Sequence, residues 1–476
     1  MSNNNNFDLA IIGGGSGGLS LASGSAQLGL KVALIEGQKM GGDCLNYGCV
    51  PSKALLAAAK SIYQARHKAP KFGIELEFKS LDFGKVMGHV LSVIKTIEPH
   101  DSVERFESLG VTVFQEHGQF IDANTVKAGD HTIAAKKIVI ATGSSPFIPP
   151  IKGIDTINYL TNETIFDLKV LPEHLIVIGG GPIGCELAQG FAMLGSKVTI
   201  VEAMTLLPKD DKDAVAIVRQ SLKDVGIDIL EDAKVNEVVQ KNESTLEMKV
   251  SKSSEDIVLS GSHVLVATGR KPNVEKLSLD KAGISFTKKG IDVNARLQTN
   301  QKHIYAIGDV VGPYQFTHMT SYQAGIVLRN IAFKIPAKVN YKAVPWVTYT
   351  YPELAHVGKA YADIKEHSDF IVTKWQFSQS DRAQTEDETT GMIKVISNKK
   401  GTIFGATIVG LHAGELILPW VMAIREGKSL RVFTDTIAPY PTLSEVSKQV
   451  SGEFYKPKLF SKKVRKVVSW LQKLWW

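Results

Sequence analysis

Phe7-Asp8-Leu9-Ala10-Ile11-Ile12-Gly13-Gly14-Gly15-Ser16-Gly17-Gly18 decides the fold. The run Phe7–Ile12 predicts a buried strand, and Gly13, Gly15 and Gly18 fit GxGxxG where a strand turns into a helix. The helical stretch reaches Leu28-Gly29; Lys31–Ile35 then predicts a second strand, ended by Glu36. One glycine pattern of this kind is often only a turn. Here it recurs. Gly179, Gly181 and Gly184 follow the predicted strand Leu175–Ile178, Leu194-Gly195 closes the helix, and Lys197–Val201 leads to Glu202. The shift of 166 that carries Gly13 to Gly179 also carries Glu36 to Glu202.

Each copy reads as one nucleotide-binding unit. The glycines permit a tight turn and a close approach of the pyrophosphate, which meets the free N–H groups of the helix amino terminus. The acid ending the second strand accepts hydrogen bonds from ribose hydroxyls. Two units imply two dinucleotides in one chain. A shorter echo closes each unit: Ile138-Val139-Ile140-Ala141-Thr142-Gly143 matches Val264-Leu265-Val266-Ala267-Thr268-Gly269. After residue 340 no nucleotide fingerprint appears. Strand-like pieces (Met392–Ile396, Ile403–Val409) and a helical one (Gly414–Arg425) predict a separate α+β domain.

The chain has 476 residues, enough for two to four domains, and 44% hydrophobic with 22% charged residues is an ordinary globular composition. No apolar run reaches the roughly 18 residues of a membrane span. Met1–Asn6 is polar and uncharged, unlike a secretory signal, so the expected compartment is the cytoplasm. The net charge is +7, and the seven lysines and arginines between Phe454 and Trp476, with no acid among them, account for all of it. The rest is neutral and does not read as a nucleic-acid binder.

Gly41-Gly42-Asp43-Cys44-Leu45-Asn46-Tyr47-Gly48-Cys49-Val50-Pro51-Ser52-Lys53 carries the chemistry, ahead of a helix predicted over Ala54–Ala65. A cysteine pair at a helix amino terminus favours thiolate, the species that exchanges with disulfides and binds soft metals. A zinc site would need two more ligands at suitable spacing, and none is present, so no resident metal is expected. Cys185, inside the second nucleotide helix, reads as a packing residue.

To about residue 450 the chain resembles the pyridine nucleotide–disulfide oxidoreductases, the family of glutathione reductase, dihydrolipoamide dehydrogenase and mercuric reductase. The cysteine segment is similar to their active-site signature. Tyr305-Ala306-Ile307-Gly308-Asp309 resembles their second FAD motif, with the Asp on the ribityl chain; Val344–Glu353 and Gly410–Leu416 resemble their dimerisation domain. The resemblance implies two Rossmann-like domains plus a carboxyl-terminal α+β dimerisation domain, and a homodimer. Its boundaries would be 1–150 for FAD, 151–271 for the nicotinamide cofactor, 272–340 completing the FAD site, 341–452 for dimerisation and 453–476 for a tail helix.

It also implies roles. Gly13, Gly15, Gly18, Glu36, Gly42, Thr142, Gly143, Gly308 and Asp309 would serve FAD. Gly179, Gly181, Gly184, Glu202 and Gly269 would serve the nicotinamide cofactor. Cys49 would be the sulfur beside the flavin, Cys44 the interchange thiol, and Lys53 and Glu186 an ion pair near the ring. Glu202, with no arginine cluster after it, favours NADH over NADPH.

One motif departs from the pattern. Disulfide-reducing members carry His-Pro-Thr-x-x-Glu where this chain has Tyr440-Pro441-Thr442-Leu443-Ser444-Glu445. A phenol is a poor base at neutral pH, so dithiol oxidation should be slow. Mercuric reductase has a similar tyrosine, which favours a soft-metal or disulfide acceptor. Such enzymes usually end in a cysteine pair, however, and this chain has no cysteine after Cys185. His318 is a further candidate proton donor. Dihydrolipoamide dehydrogenase remains the alternative, and a membrane-associated redox sensor or a protein- or quinone-linked flavoprotein a third reading. In the tail, Phe460, Val464, Val467, Val468, Leu471, Leu474 and Trp475 fall on one helical face among basic residues. The tail is read either as peripheral to the inner face of the membrane or as packed on its own dimer.

Overall fold

The computed structural model describes residues 5–253, 255–364 and 367–475. Met1–Asn4 of the polar start and Trp476 of the tail lie outside the described residues.

The strand Asn5–Ile12 lies mid-sheet, paired in parallel with Val32–Ile35 on one side and His131–Ile140 on the other. Leu9 and Ile11 enter one core with Leu34 and Val139, whereas Ala10 and Ile12 enter a second with Ala33 and Ile138. Both faces are covered, so the segment reads as a nearly unbroken apolar run. The full sheet has seven strands, in the order Val111–Phe114, Val32–Ile35, Asn5–Ile12, His131–Ile140, Thr125–Ala128 and Gly118–Asp122, with Ile304–Ala306 added to His131–Ile140. That late strand delivers Gly308 and Asp309 to the carboxyl edge of the sheet, where ligands of such folds bind. The helix Thr317–Ile331 shares a core with the helix Ser16–Gln27 through Ala324, Ile326 and Val327 against Leu19, Leu21 and Ala22.

The second copy orders Ile227–Leu230, Lys197–Val201, His174–Ile178 and His263–Val266 in a four-stranded sheet. A three-stranded meander, Ala233–Asn242, Thr245–Lys252 and Glu255–Gly261, is inserted before its last strand. By contact the chain divides into two units: Met1–Arg66, Glu75–Ala203 and Ile229–Asn340 form the first, and His67–Ile74, Met204–Asp228 and Tyr341–Trp476 the second.

The second unit is built on an antiparallel five-stranded sheet, ordered Pro345–Thr348, Glu353–Gly358, Ile403–Gly410, Met392–Asn398 and Phe370–Gln376. Its core centres on Trp420, whose indole N–H donates to Ser447 Oγ at 3.0 Å. Lys394 is buried mid-strand. It pairs with Asp211 at 2.5 Å, and Asp211 also accepts from the N–H groups of Asp213 and Ala214, capping the helix Lys212–Asp224. The architecture is the expected one, two Rossmann-like units and an α+β domain.

Two helices differ from expectation. The helix predicted over Gly414–Arg425 is split into Ala413–Leu416 and Leu418–Arg425, because Pro419 supplies no N–H to continue the first turn and suits the start of a new one. The tail is not a separate helix from 453 to 476: its first residues belong to the preceding helix Glu445–Leu459. Ser461 Oγ accepts from the N–H of Val464, and a new helix runs Lys462–Trp475. Phe460 is therefore outside that helix.

Candidate active site

Gly13 and Gly179 occupy the same left-handed conformation, at φ 116° and 113°. A Cβ on Gly13 would stand 2.3 Å from the carbonyl oxygen of Ala141, and one on Gly179 would stand 2.4 Å from that of Ala267. The two echoes Ile138–Gly143 and Val264–Gly269 are thus the walls against which each glycine turn is pressed. Glu36 Oε2 accepts from Gly14 N at 2.5 Å, and Glu202 Oε2 accepts from Gly180 N at 2.6 Å. In both copies, the acid is tied to its own glycine loop.

The helices Ser16–Gln27 and Pro182–Leu194 both begin without a side-chain cap and without an acid in the first turn. Their amino-terminal N–H groups suit a pyrophosphate, and a Cβ on Gly15 or Gly181 would meet nothing closer than 3.9 Å, so a ligand can approach the backbone. Both turns fit a dinucleotide. Gly18 and Gly184 each lie against the carbonyl of the first glycine of their motif. Cys185 is buried, its thiol donating to Gly180 O at 3.3 Å, so it braces the second loop and performs no chemistry that the geometry requires.

The cysteine segment is locked to the first loop. Gly41 bridges Gly15, and Gly41 N donates to Gly14 O at 2.9 Å. Gly42 has φ 59°, and a Cβ there would stand 2.7 Å from Gly15 Cα, so no larger residue fits. Cys44 follows in the short helix Gly42–Asn46, and Cys49 is the first residue of the long helix Cys49–His67. Only Cys49 takes the amino-terminal position that the sequence suggested for the pair, and that helix starts five residues earlier than Ala54.

Cys44 and Cys49 are free thiols in hydrogen-bonding contact, the reduced form of the pair. Cys44 S–H donates to Cys49, and this is the largest influence on both groups. It lowers the Cys49 pKa to about 6, helped by Thr317 Oγ1 at 3.3 Å and the charge of Lys53 one turn along the helix, against the opposing effect of burial. The same contact, with burial, pushes the Cys44 thiol far up. Cys49 therefore carries the thiolate and Cys44 keeps its proton. Ultraviolet thiolate absorbance of the reduced pair is expected to rise with pH through a midpoint near 6. A midpoint above about 8, the range of an ordinary thiol, would remove the assignment.

Lys53 Nζ lies 2.7 Å from Glu186 Oε2, whose side chain is buried. Asp309 Oδ2 accepts from Ser144 Oγ at 2.6 Å and lies 3.9 Å from the guanidinium of Arg270; burial outweighs both and raises the Asp309 pKa. Thr142 and Asn273 exchange two 2.9 Å hydrogen bonds beside Gly143, and Gly308 N donates to Gln323 Oε1 at 2.7 Å. Gly269 passes the chain to Arg270 at φ 126°.

Two residues were missed from the sequence. Arg270 is nearly buried and gathers the site: it pairs with Asp43, next to Cys44, at 3.0 Å, and donates to Ser144 Oγ and Ser144 O at 2.7 Å and to Asn162 Oδ1 at 3.3 Å. Its position directly after the second Ala-Thr-Gly was the available signal. Thr317 directly precedes His318, the candidate proton donor. His318 stacks on Phe316 with centroids 5.3 Å apart, while Thr317, first residue of its helix, reaches Cys49.

In the second unit, Tyr440 Oη donates to Asp381 Oδ2 at 3.1 Å, and this acceptor, with the charges of Asp381 and Glu445, raises the phenol pKa. Glu445 is the first residue of the helix Glu445–Leu459. Among the described residues, no group of three or more His, Cys, Asp or Glu could hold a metal ion.

Residues 7–325 match the family described as pyridine nucleotide-disulphide oxidoreductase, and residues 344–451 match its dimerisation domain. The chain is 34% identical over 454 residues to a mercuric reductase of Staphylococcus aureus, covering 94% of this chain and 83% of that protein. It is 36% identical over 455 residues to a dihydrolipoyl dehydrogenase of Chlamydia trachomatis serovar D, covering 93% and 96%. Among solved structures it resembles the HOCl-induced flavoprotein disulfide reductase RclA from Escherichia coli in its Cu(II) complex, with a TM-score of 0.84 and 29% identity over 93% of this chain and 99% of that one.

Proposed function

Because the chain belongs to the pyridine nucleotide-disulphide oxidoreductases, we propose that it is an NADH-preferring reductase whose Cys44–Cys49 pair delivers electrons to a thiophilic metal ion or a small disulfide. The glutathione reductase-like fold, the need for FAD and a pyridine nucleotide, the redox cysteine pair and a homodimer all follow from the family. The acceptor, the nucleotide preference and the individual roles below are the proposal. Bound FAD supplies the two-electron relay between nicotinamide and the cysteine pair.

The observation that carries the choice of acceptor is Tyr440. Its proton is held by Asp381, so at neutral pH the phenol donates but does not abstract. Oxidation of a dithiol needs a base that takes a thiol proton, and this segment offers none of the usual strength. A soft cation needs no such base. Cys49 is already a thiolate, and a cation that binds both sulfurs displaces the Cys44 proton directly. The cation would be substrate, in keeping with the mercuric reductase relatives and with the Cu(II) complex of the Escherichia coli protein. A small disulfide would be attacked by Cys44 as its proton passes to the Cys49 thiolate, and the first substrate thiolate would take a proton from water; Cys49, giving up that proton again, would then close on Cys44 and expel the second thiolate.

The remaining residues position these groups. Lys53, held by Glu186, supplies fixed positive charge one turn after Cys49. Arg270 steadies Asp43 and Asp309, and so the turn that carries Cys44. Glu36 would hold the ribose of FAD and Glu202 that of NADH, where a 2′-phosphate would meet a carboxylate.

Anaerobic steady-state assays with NADH against Hg(II), Cu(II) and lipoamide, and with NAD and dihydrolipoamide in reverse, test the reading. The metals should give kcat/KM at least about 100-fold above dihydrolipoamide, and Tyr440→His should raise dihydrolipoamide oxidation at least about tenfold. Dihydrolipoamide turnover near about 10² s⁻¹ by the unaltered chain would overturn it in favour of dihydrolipoamide dehydrogenase. In the same assays kcat/KM should favour NADH over NADPH by at least about tenfold, and equal use would remove the role given to Glu202.

A further inference from the structure

The last helix, Lys462–Trp475, has no part in the site and lies beyond both family matches, which end at residue 451. A helix of this length is marginal alone in water, so a stable one normally rests its apolar face on something. Here that face is open. Val464, Val467, Val468, Trp470, Leu471 and Leu474 fall on one side of the helix. Val467, Val468 and Leu471 are between 43% and 48% exposed, Trp470 and Leu474 about 60%. Among the described residues, no other run of exposed large hydrophobic side chains carries such a net charge. Lys462, Arg465, Lys466 and Lys473 occupy the other side, Lys463 lies at the apolar edge between Trp470 and Leu474, no acid is present, and Lys456 and Lys458 precede the helix.

The charge placement narrows what can cover this face. Lys462 and Lys463 stand in the first turn, the positive end of the helix dipole, where cations are unfavourable. The arrangement is relieved by a partner that brings negative charge along the whole length of the helix and an apolar layer beneath it. A bilayer surface with anionic headgroups does both. No helix among the described residues is long and apolar enough to cross a membrane, so the segment would lie on the surface. The break between the helices is consistent with this: Ser461 caps the new helix, and the preceding helix Glu445–Leu459 keeps Phe454 buried in the core.

We propose that Lys462–Trp475 docks the enzyme on an anionic phospholipid surface, with its valine, leucine and tryptophan face at the headgroup boundary and its lysines and arginine on lipid phosphates. The reduced acceptor, or the acceptor itself, would then be met at the membrane. This rests on the tail alone and stands whichever acceptor the cysteine pair serves.

The test uses the FAD-loaded full chain, a chain truncated after Phe460, and Leu471→Glu. The cut spares Phe454. Each is sedimented with vesicles of phosphatidylglycerol and phosphatidylcholine, and with phosphatidylcholine alone. The full chain should partition onto the anionic vesicles at least about tenfold more strongly than onto the neutral ones. Both variants should lose that partition while keeping FAD, dimeric size and NADH-dependent turnover. A full chain that stays in the supernatant with anionic vesicles overturns the proposal. So does a truncated chain that binds as well as the full one, or a truncation that dissociates the dimer without any vesicle binding by the full chain, since the helix would then pack between subunits. Retained binding by Leu471→Glu would reduce the contact to charge alone and overturn the inserted face.

Discussion

Cys49→Ser is expected to lower NADH-dependent turnover at least about 10³-fold while FAD stays bound, because the variant removes the thiolate of the redox pair and leaves its surroundings in place. Cys49 contributes to no core cluster. Serine is well suited to the start of a helix, so Cys49–His67 should persist. The hydrogen bonds of Cys44 and Thr317 can both be made to a hydroxyl. What is lost is an anion at neutral pH, since serine does not ionise where the Cys49 thiol does, near pH 6. Flavin content and anaerobic NADH titration check this. The variant should still bleach its flavin with NADH but lack the long-wavelength absorbance expected of the unaltered enzyme if the Cys49 thiolate lies beside the flavin. Turnover above a tenth of the original would mean that electrons leave by a route that avoids this sulfur.

Lys394→Met is expected to destabilise the protein by about 3–5 kcal/mol, the usual consequence of removing one partner from a buried ion pair. Lys394 and Asp211 are only 5% and 3% exposed at their side chains. Methionine fills a similar volume, so the loss is electrostatic: Asp211 would remain buried, capping Lys212–Asp224, without its cation. Thermal or urea unfolding measures it, and a change below about 1 kcal/mol would show that the pair is hydrated in solution. The variant should also respond differently to acid. Lys374 and Lys394 hold Asp213 at a pKa of about 2, below its ordinary 3.8. A carboxylate depressed in this way stabilises above its unfolded value, and that contribution is lost as pH falls from about 4 to about 2. The acid limb of the stability curve should be shallower in Lys394→Met, by a modest amount because Asp213 is half exposed.

Much of this was legible in the sequence because covalent spacing fixed it. A strand, a glycine turn, a helix and a terminal acid must follow one another at set distances, and the repetition from Gly13–Glu36 to Gly179–Glu202 exposed the double unit. The ion pair Lys53–Glu186 joins residues 133 apart in sequence and came only through the family resemblance. Arg270 and Thr317 were missed for the same physical reason. Each meets its partner through tertiary packing, Arg270 at the end of a turn and Thr317 at the head of a helix set by its neighbour, and no local pattern records such a meeting. The split at Pro419 and the restart at Ser461 were missed because hydrophobic periodicity runs on through both, while a missing N–H and a capping hydroxyl decide where each helix begins.

The two glycine loops are nearly superimposable in chemistry, yet they are not equally enclosed. The first has the cysteine segment laid across it, with Gly41 paired to Gly15 and Gly42 pressed on its Cα. Among the described residues no isolated bridge reaches the second loop, and a Cβ on Gly181 would touch nothing within 4 Å. A ligand in the first loop would therefore lie beside the redox segment. The same glycine turn is thus used twice, once with the redox segment as its neighbour and once without it.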